Sequence, residues 1–240
     1  MAKDLIVLPG WGIAVTALEN LVAELQQALP EIKVQLQPLP SMTGLTVDAV
    51  LNQLDQQLPQ DCWLMGWSLG GMLATALAAR RQSGCSGVIS YASNACFVAR
   101  PGWPHGMSPA TFSAFYRLCS NDLPAGLKRF ALLCSQGAEQ PRHLSRTLHT
   151  QVVQTDDALA GLDCLAELDN RSAINRFTGP QLHLLATGDA LVPSSAATDL
   201  QALNPQAQVE LLGQSHASVV AQPQLLAQRI AGFILDEQHA

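Results

Sequence analysis

One serine, set between glycines where an apolar run meets a helix-forming run, constrains this chain more than any other feature. Residues 64–74 read LMGWSLGGMLA, and the stretch from Gly66 to Gly70 fits the pattern G-x-S-x-G. This pattern is typical of a strand that turns sharply into a helix, where side chains larger than hydrogen would collide with neighbouring backbone. Such a turn aims Ser68 Oγ out of the sheet, above the positive end of the helix. Glycine-flanked serines also cap ordinary helices, so the pattern alone leaves both interpretations open.

Short apolar runs alternate with amphipathic stretches on both sides of this motif. Predicted strands lie at 4–8, 33–39, 62–67, 87–93, 181–187 and 208–213, and predicted helices at 16–29, 45–58, 70–82, 195–203 and 222–236. Continuous apolar runs are typical of parallel strands that are covered on both faces. The alternation therefore predicts an α/β protein with a mostly parallel central sheet and helices on both faces.

The alternation stops between about 100 and 175. Four helical patterns follow one another there, at 108–120, 124–136, 142–153 and 157–169, without a convincing strand. We interpret residues 100–175 as a helical lid insertion into a core formed by 1–99 and 176–240. A chain of 240 residues with 48% hydrophobic side chains suffices for one sizeable core.

Composition narrows the class of protein. With 13 basic and 19 acidic residues the net charge is −6, which argues against a general nucleic-acid binder. The six cysteines include no CxxC pair and are expected to be reduced thiols. No run of 18 apolar residues predicts a membrane span, and the first residues do not resemble a signal peptide, so we expect a cytoplasmic protein.

A serine nucleophile needs a base and a carboxylate that orients the base. In sheets of this kind they follow in the order Ser, Asp or Glu, His. Asp189 lies just after the strand at 181–187, and His216 just after the strand at 208–213. Asp189 alone is compatible with an ordinary turn, and His216 with a plain loop histidine, but the three together predict a Ser68–His216–Asp189 triad. The alternative acids are Asp199, Glu210 and Asp169.

An oxyanion hole would complete this chemistry with two backbone N–H groups. Leu69 follows the nucleophile and supplies one. The first strand ends in LPGWG, which places Trp11 at the second donor position. The alternative for this segment is a simple turn with a core tryptophan.

Several motifs together resemble the α/β-hydrolase superfamily and, within it, the pimeloyl-acyl-carrier-protein methyl ester esterases of biotin synthesis. They are PGWG, GWSLGG, YASNACFVARPGWP, TGDALVP and GQSHA. The most discriminating is the segment 92–104, which resembles the entry to that family's lid. The chain departs from the family at Pro9, where a histidine is usual, in QPLPSMTGL after the second strand, and in lacking a preceding strand or hairpin.

The resemblance implies roles for residues outside the triad. The lid segment Phe130, Ala131, Leu132, Leu133 and Cys134 would line the acyl pocket, alongside Trp11, Ser68, Leu69 and His216. Three lid arginines, Arg129, Arg142 and Arg146, match family positions that face an acidic acyl carrier protein, whereas a fourth is Ala125. Residues 117–146 carry a net charge of +3, which is also compatible with an ordinary solvated face.

The sequence thus predicts a serine carboxylesterase that releases methanol from the methyl ester of a pimeloyl-carrier protein. Such an esterase needs no metal or organic cofactor. We expect a monomer that binds neither nucleic acid nor a membrane. Two alternatives remain open. One is a broad-specificity short-chain esterase, thioesterase or lactonase, and the other is a catalytically silent binding protein on the same fold.

Overall fold

The central element is a parallel sheet of six strands, as the sequence predicts. A computed structural model describes residues 3–155 and 157–239. The strands are β1 (Asp4–Leu8), β2 (Lys33–Leu36), β3 (Cys62–Trp67), β4 (Cys85–Tyr91), β5 (Gln181–Leu185) and β6 (Gln208–Leu211). Their order in the sheet is β2-β1-β3-β4-β5-β6, and every neighbouring pair is parallel.

Helices follow the strands and cover the sheet. They are α1 (Glu19–Ala28), α2 (Val47–Gln57), α3 (Leu69–Arg81), α4 (Pro109–Asn121), α5 (Leu123–Ser135), α6 (Pro141–His149), α7 (Ala158–Glu167), α8 (Arg171–Arg176), α9 (Ala196–Leu203), α10 (Ser218–Ala221) and α11 (Pro223–His239). The five helices from α4 to α8 lie between β4 and β5. None of the helices in the described residues is both long enough and apolar enough to cross a bilayer.

Burial explains why the inner strands are mainly apolar. Every residue of β3 and β5 is buried, because helices cover both faces of the sheet there. The edge strand β6 is half exposed and carries Glu210 and the exposed Leu211. The largest fully buried side chains include Trp67 and Tyr91, at the carboxyl ends of β3 and β4.

Two predicted elements end three or more residues earlier than expected, for identifiable reasons. Strand β2 ends at Leu36 rather than at residue 39, because Pro38 has no N–H to continue the ladder. The helical pattern at 142–153 was expected to form one helix, and that prediction is wrong beyond His149. There Val152 pairs with Ile13, and the Val153 N–H donates to the Gly12 carbonyl at 2.9 Å. The short helices α8 and α10 have no counterpart in the predicted pattern.

The parallel topology gathers the loops that follow the strands at one edge of the sheet. Trp11 follows β1, Ser68 follows β3, Asp189 follows β5 and His216 follows β6. Four positions that are far apart in the sequence are thereby brought to one end of the molecule.

Candidate active site

The turn at Ser68 is held by contacts that only glycine permits. Ser68 has φ +54° and ψ −119°, a conformation that residues with a side chain rarely adopt. A Cβ added at Gly66 would lie 2.2 Å from the Gly70 carbonyl group, and one at Gly70 would lie 2.4 Å from the Pro9 oxygen. Both glycines are therefore required by close backbone approach, and the second brings the start of α3 against the loop after β1.

His216 and Asp189 form a buried hydrogen-bonded pair. His216 Nδ1 lies 2.8 Å from Asp189 Oδ2, and both side chains are fully buried. The other carboxylate oxygen, Oδ1, accepts hydrogen bonds from the Leu191 and Val192 N–H groups at 2.8 and 3.0 Å. A carboxylate facing Nδ1 keeps the proton on that nitrogen, so Nε2 is the basic one. Nε2 is buried and has no hydrogen-bond partner among the described residues.

The alternative acids lie elsewhere. Each pairs with a different basic residue: Asp199 with His105, Glu210 with Arg229, and Asp169 with Arg171. Asp189 is the carboxylate that contacts His216. The structure therefore brings the predicted base and its predicted partner together, whereas Ser68 Oγ makes no hydrogen bond to a described residue. Such bonds are often long in sites without substrate.

The loop after β1 packs against the Ser68 turn. A Cβ added at Gly10 would lie 3.4 Å from Ser68 Cβ. The Trp11 indole donates to the Ala158 carbonyl at 2.7 Å, and its ring meets the Phe130 ring edge-on with centroids 5.0 Å apart. The backbone N–H of Trp11 donates to no described residue. Leu69 is the first residue of α3, where N–H groups have no partner within the helix.

An apolar cavity of about 540 Å³ extends from Trp11 under the helices that follow β4. Phe130 and Leu133 line it from α5, and Leu191, two residues after Asp189, lines it from the core. Among the described residues that line it, Arg129 alone is charged. A cavity of this size and polarity fits a chain of methylene groups.

The predicted segment Phe130 to Cys134 does not act as one continuous lining. Residues three apart share a helix face, so Phe130 and Leu133 reach the cavity together. Leu132 points the other way and is 44% exposed. Ala131 and Cys134 are buried without lining the cavity, and the Cys134 carbonyl accepts from the Ala217 N–H at 3.1 Å.

Leu132 lies instead in a basic groove between α5 and α6. The groove encloses about 270 Å³ and is lined by Lys128, Leu132, Arg142, Ser145, Arg146 and His149. Arg142 and Arg146 are one helical turn apart on α6, and both are exposed. Neither they nor Arg129 form an ion pair with a described residue, so their charge is available to solvent or to a partner.

Sequence reasoning missed two residues that bind the loop carrying His216. The Trp67 indole donates to the His216 carbonyl at 2.8 Å, and the Tyr91 hydroxyl donates to the Ser215 carbonyl at 2.9 Å. Trp67 lies within the G-x-S-x-G motif, yet its partner is 149 positions later. No local pattern in the sequence indicates such a bond.

Comparison with known proteins places these features in a wider group. A model of the alpha/beta hydrolase fold matches residues 31–220. Over 238 residues the chain is 40% identical to the biotin biosynthesis bifunctional protein BioHC of Cellvibrio japonicus, covering 95% of this chain and 47% of that protein. A second bifunctional relative, from Teredinibacter turnerae, is 34% identical, with 44% of its length covered. The chain thus spans slightly less than half the length of these relatives.

Other relatives match along most of their length. The pimeloyl-acyl-carrier-protein methyl ester esterase of Yersinia pestis is 29% identical over 242 residues, with 96% of this chain and 92% of that protein covered. Among solved structures, a bromoperoxidase from Bacillus anthracis superposes with a TM-score of 0.83 at 17% identity, covering 98% of this chain and 92% of that one. An enol-lactonase from Burkholderia xenovorans has a TM-score of 0.79 at 18% identity, with the same coverage. At these identities the structures establish the fold alone.

Proposed function

Because the chain belongs to the alpha/beta hydrolase fold family, we propose that it is a serine carboxylesterase with Ser68 as nucleophile, His216 as general base and Asp189 as the group that orients the base. The observation that carries this proposal is the state of His216. Its Nδ1 is paired with a buried carboxylate, and its Nε2 is buried without a partner. A histidine held in this way can accept a proton from a nearby hydroxyl.

The proposed reaction proceeds in two steps. Ser68 Oγ attacks the ester carbonyl while His216 Nε2 takes its proton, and His216 then returns the proton to the departing alkoxide, which leaves as the alcohol. Water attacks the acyl-enzyme with His216 again as base, and the acid and Ser68 are released. The Trp11 and Leu69 N–H groups stabilise the oxyanion in both steps. These steps use the protein's own side chains and water.

We further propose that the substrate is the methyl ester of a pimeloyl chain carried by an acyl carrier protein, so that the enzyme acts in biotin biosynthesis. The names of the Yersinia pestis and Cellvibrio japonicus relatives support this assignment. The apolar cavity of about 540 Å³ supports it as well, since it accommodates an acyl chain beside Trp11. We assign residues 100–175 as the lid and 1–99 with 176–240 as the core, because α4, α5 and α7 form most of the cavity wall.

The carrier protein would dock on Arg129, Arg142 and Arg146. Acidic partners are attracted by a cationic surface, and the basic groove offers the exposed Leu132 as an apolar contact at its centre. Arg129 lies at the cavity instead, where it would meet the anionic part of a substrate entering from the carrier.

Charge reversal tests this assignment. Replacing all three arginines with glutamate should raise KM for the carrier-linked ester markedly, although single exposed ion pairs contribute only about 0.2–1 kcal/mol. The effect should shrink with salt, because the Debye length falls from about 10 Å at 0.1 M to about 3 Å at 1 M. Hydrolysis of a small neutral ester should stay nearly unchanged in the double variant Arg142→Glu and Arg146→Glu, because neither residue lines the apolar cavity.

A control of equal charge change separates docking from net charge. Lys3, Lys33 and Arg176 are exposed and lie away from the basic groove, so their reversal to glutamate should leave KM for the carrier-linked ester almost as it is. Equal losses in the two triple variants would contradict a docking surface on the lid. Efficient hydrolysis of simple esters with no preference for the carrier-linked one would favour the broad-specificity esterase.

A further inference from the structure

Two aromatic donors hold consecutive carbonyls of the loop that carries His216. Trp67 and Tyr91 are the last residues of β3 and β4, and they are direct partners in the register of the two strands. Both side chains are fully buried. The indole donates to the His216 carbonyl at 2.8 Å and the phenol to the Ser215 carbonyl at 2.9 Å.

The same two residues also hold the nucleophile. Trp67 directly precedes Ser68 in the chain, and the Ser68 N–H donates to the Tyr91 carbonyl at 2.9 Å. The turn with the nucleophile and the loop with the base are thus attached to one rigid pair of strand ends. Other contacts of the His216 loop reach different parts of the molecule, such as the Ala217 N–H bond to the Cys134 carbonyl of α5.

We propose that Trp67 and Tyr91 are positioning residues that set the placement of His216 Nε2 relative to Ser68 Oγ. The proposal rests on the roles assigned to Ser68 and His216 above. A hydrogen bond to the His216 carbonyl restrains the peptide plane after His216, and thereby the direction in which the Cα–Cβ bond leaves the backbone. Asp189 then fixes the remaining rotation of the ring through Nδ1. Without the two donors the ring would keep its bond to the carboxylate, but the backbone that carries it would no longer be fixed relative to the Ser68 turn.

Replacing each donor by phenylalanine removes the hydrogen bond and keeps an aromatic ring. Because a misplacement of about 1 Å can cost about 100-fold in rate, Trp67→Phe should lower kcat by about 10- to 100-fold and Tyr91→Phe by less. KM for a small p-nitrophenyl ester should change by less than about threefold, since ground-state binding does not depend on the base. A loss confined to stability would lower the active fraction and leave the kcat of the active enzyme unchanged.

The chain offers a matched control on the same strand. Trp63 is 2% exposed in β3, and its indole N–H is buried without a partner among the described residues. Trp63→Phe therefore removes a similar volume from the core but no hydrogen bond. Kinetics are compared per active site, with active enzyme titrated by a serine-directed phosphonate, at a temperature where circular dichroism shows all variants folded.

Isosteric replacement keeps the test decisive if Trp67→Phe does not fold. Incorporation of 3-benzothienylalanine at position 67 exchanges the indole N–H for sulfur with almost no change of shape, and the same replacement at 63 is its control. A lower kcat at 67 alone supports the proposal, and equal kcat at 67 and 63 overturns it. A wild-type protein that neither hydrolyses the ester nor reacts with the phosphonate at Ser68 would instead overturn the proposed function on which it rests.

Discussion

In the described part of the chain, two buried histidines each pair with polar side chains, His183 inside the sheet and His216 at its edge, and they differ in which hydrogen-bonding groups are already satisfied. Inside the sheet, Ser90 Oγ lies 2.7 Å from His183 Nδ1, and Gln181 Oε1 lies 3.2 Å from His183 Nε2. At the edge of the sheet, His216 Nδ1 faces Asp189, whereas Nε2 has no partner among the described residues. Both histidines have a polar partner at Nδ1, yet only His216 has a ring nitrogen without a partner among the described residues, and Ser68 is the serine that we propose for it.

Both ring nitrogens of His183, in the inner pair, have a hydrogen-bond partner. The Gln181 amide donates to the carbonyls of Ile174 and Phe177, so its oxygen is the atom that accepts from His183 Nε2. His183 Nδ1 must then accept from the Ser90 hydroxyl. Burial lowers the pKa of His183 to about 4, and a neutral amide does little to stabilise an imidazolium. A reactive histidine therefore requires both a charged partner and a free nitrogen, and proximity to serine is insufficient.

The largest expected difference between the pairs is in the serines. Ser68→Ala should lower kcat by about 10⁶-fold, as loss of the nucleophile does in serine hydrolases. Its thermal stability should stay close to that of the wild type, because Ser68 Oγ makes no hydrogen bond to a described residue. Ester hydrolysis and a melting curve on the same sample check both statements. Retention of half the activity would exclude Ser68 as the nucleophile.

Exchange of the third partner gives the next largest effect. Asp189→Asn makes the outer pair resemble the inner one, with an amide in place of a carboxylate. It should lower kcat by about 10⁴-fold, since the base loses its orientation and the stabilisation of its charged form. A small-ester assay under saturating conditions measures this loss. A decrease of only a few-fold would mean that another acid supports His216.

The sequence predicted the strands better than the insertion, and the reason is physical. A parallel strand buried on both faces favours a continuous apolar run, which is visible locally at 5–8 in β1 and at 62–67 in β3. The end of α6 depends on a distant partner, because Val152 leaves the helical pattern to pair with Ile13. The short helix α10 likewise depends on contacts of the loop that precedes it.

A similar boundary separates the predicted and missed parts of the candidate site. The sequence predicts Ser68, Asp189 and His216 as a triad because each follows a strand in an order that is typical of the fold. From the sequence alone, three other acids were alternatives to Asp189. The structure pairs each of those three with another side chain. The sequence does not indicate the hydrogen bonds from Trp67 and Tyr91. Their acceptors are backbone carbonyls, which every residue type has.

The pH dependence of stability provides a smaller and separate distinction. The pKa of His183 is about 4 in the folded protein and about 6.5 for an unperturbed histidine. Because the pKa of His183 is lower in the folded state, the contribution of the neutral ring to the free energy of unfolding is complete above pH 6.5. It is lost as the pH falls towards 4, by about 3 kcal/mol at most. His183→Asn cannot titrate, so its unfolding free energy should decline less over this range. Urea denaturation at several pH values measures the two slopes, and identical slopes would show that other groups cause the decline.

The smallest effect is expected from Ser90, the serine of the inner pair. Ser90→Ala leaves the buried His183 Nδ1 without a donor, which should reduce the free energy of unfolding by about 1–3 kcal/mol. Ser86→Ala is the matched control on β4, because the Ser86 hydroxyl donates to the Asp61 carbonyl at a partly exposed position where water can replace it. Its loss should therefore be smaller. Both variants should retain wild-type kcat, since neither hydroxyl belongs to the proposed triad. If Ser90→Ala lowered kcat as strongly as Asp189→Asn, the inner pair would be coupled to the reaction and the two histidines would have to be regarded as one network.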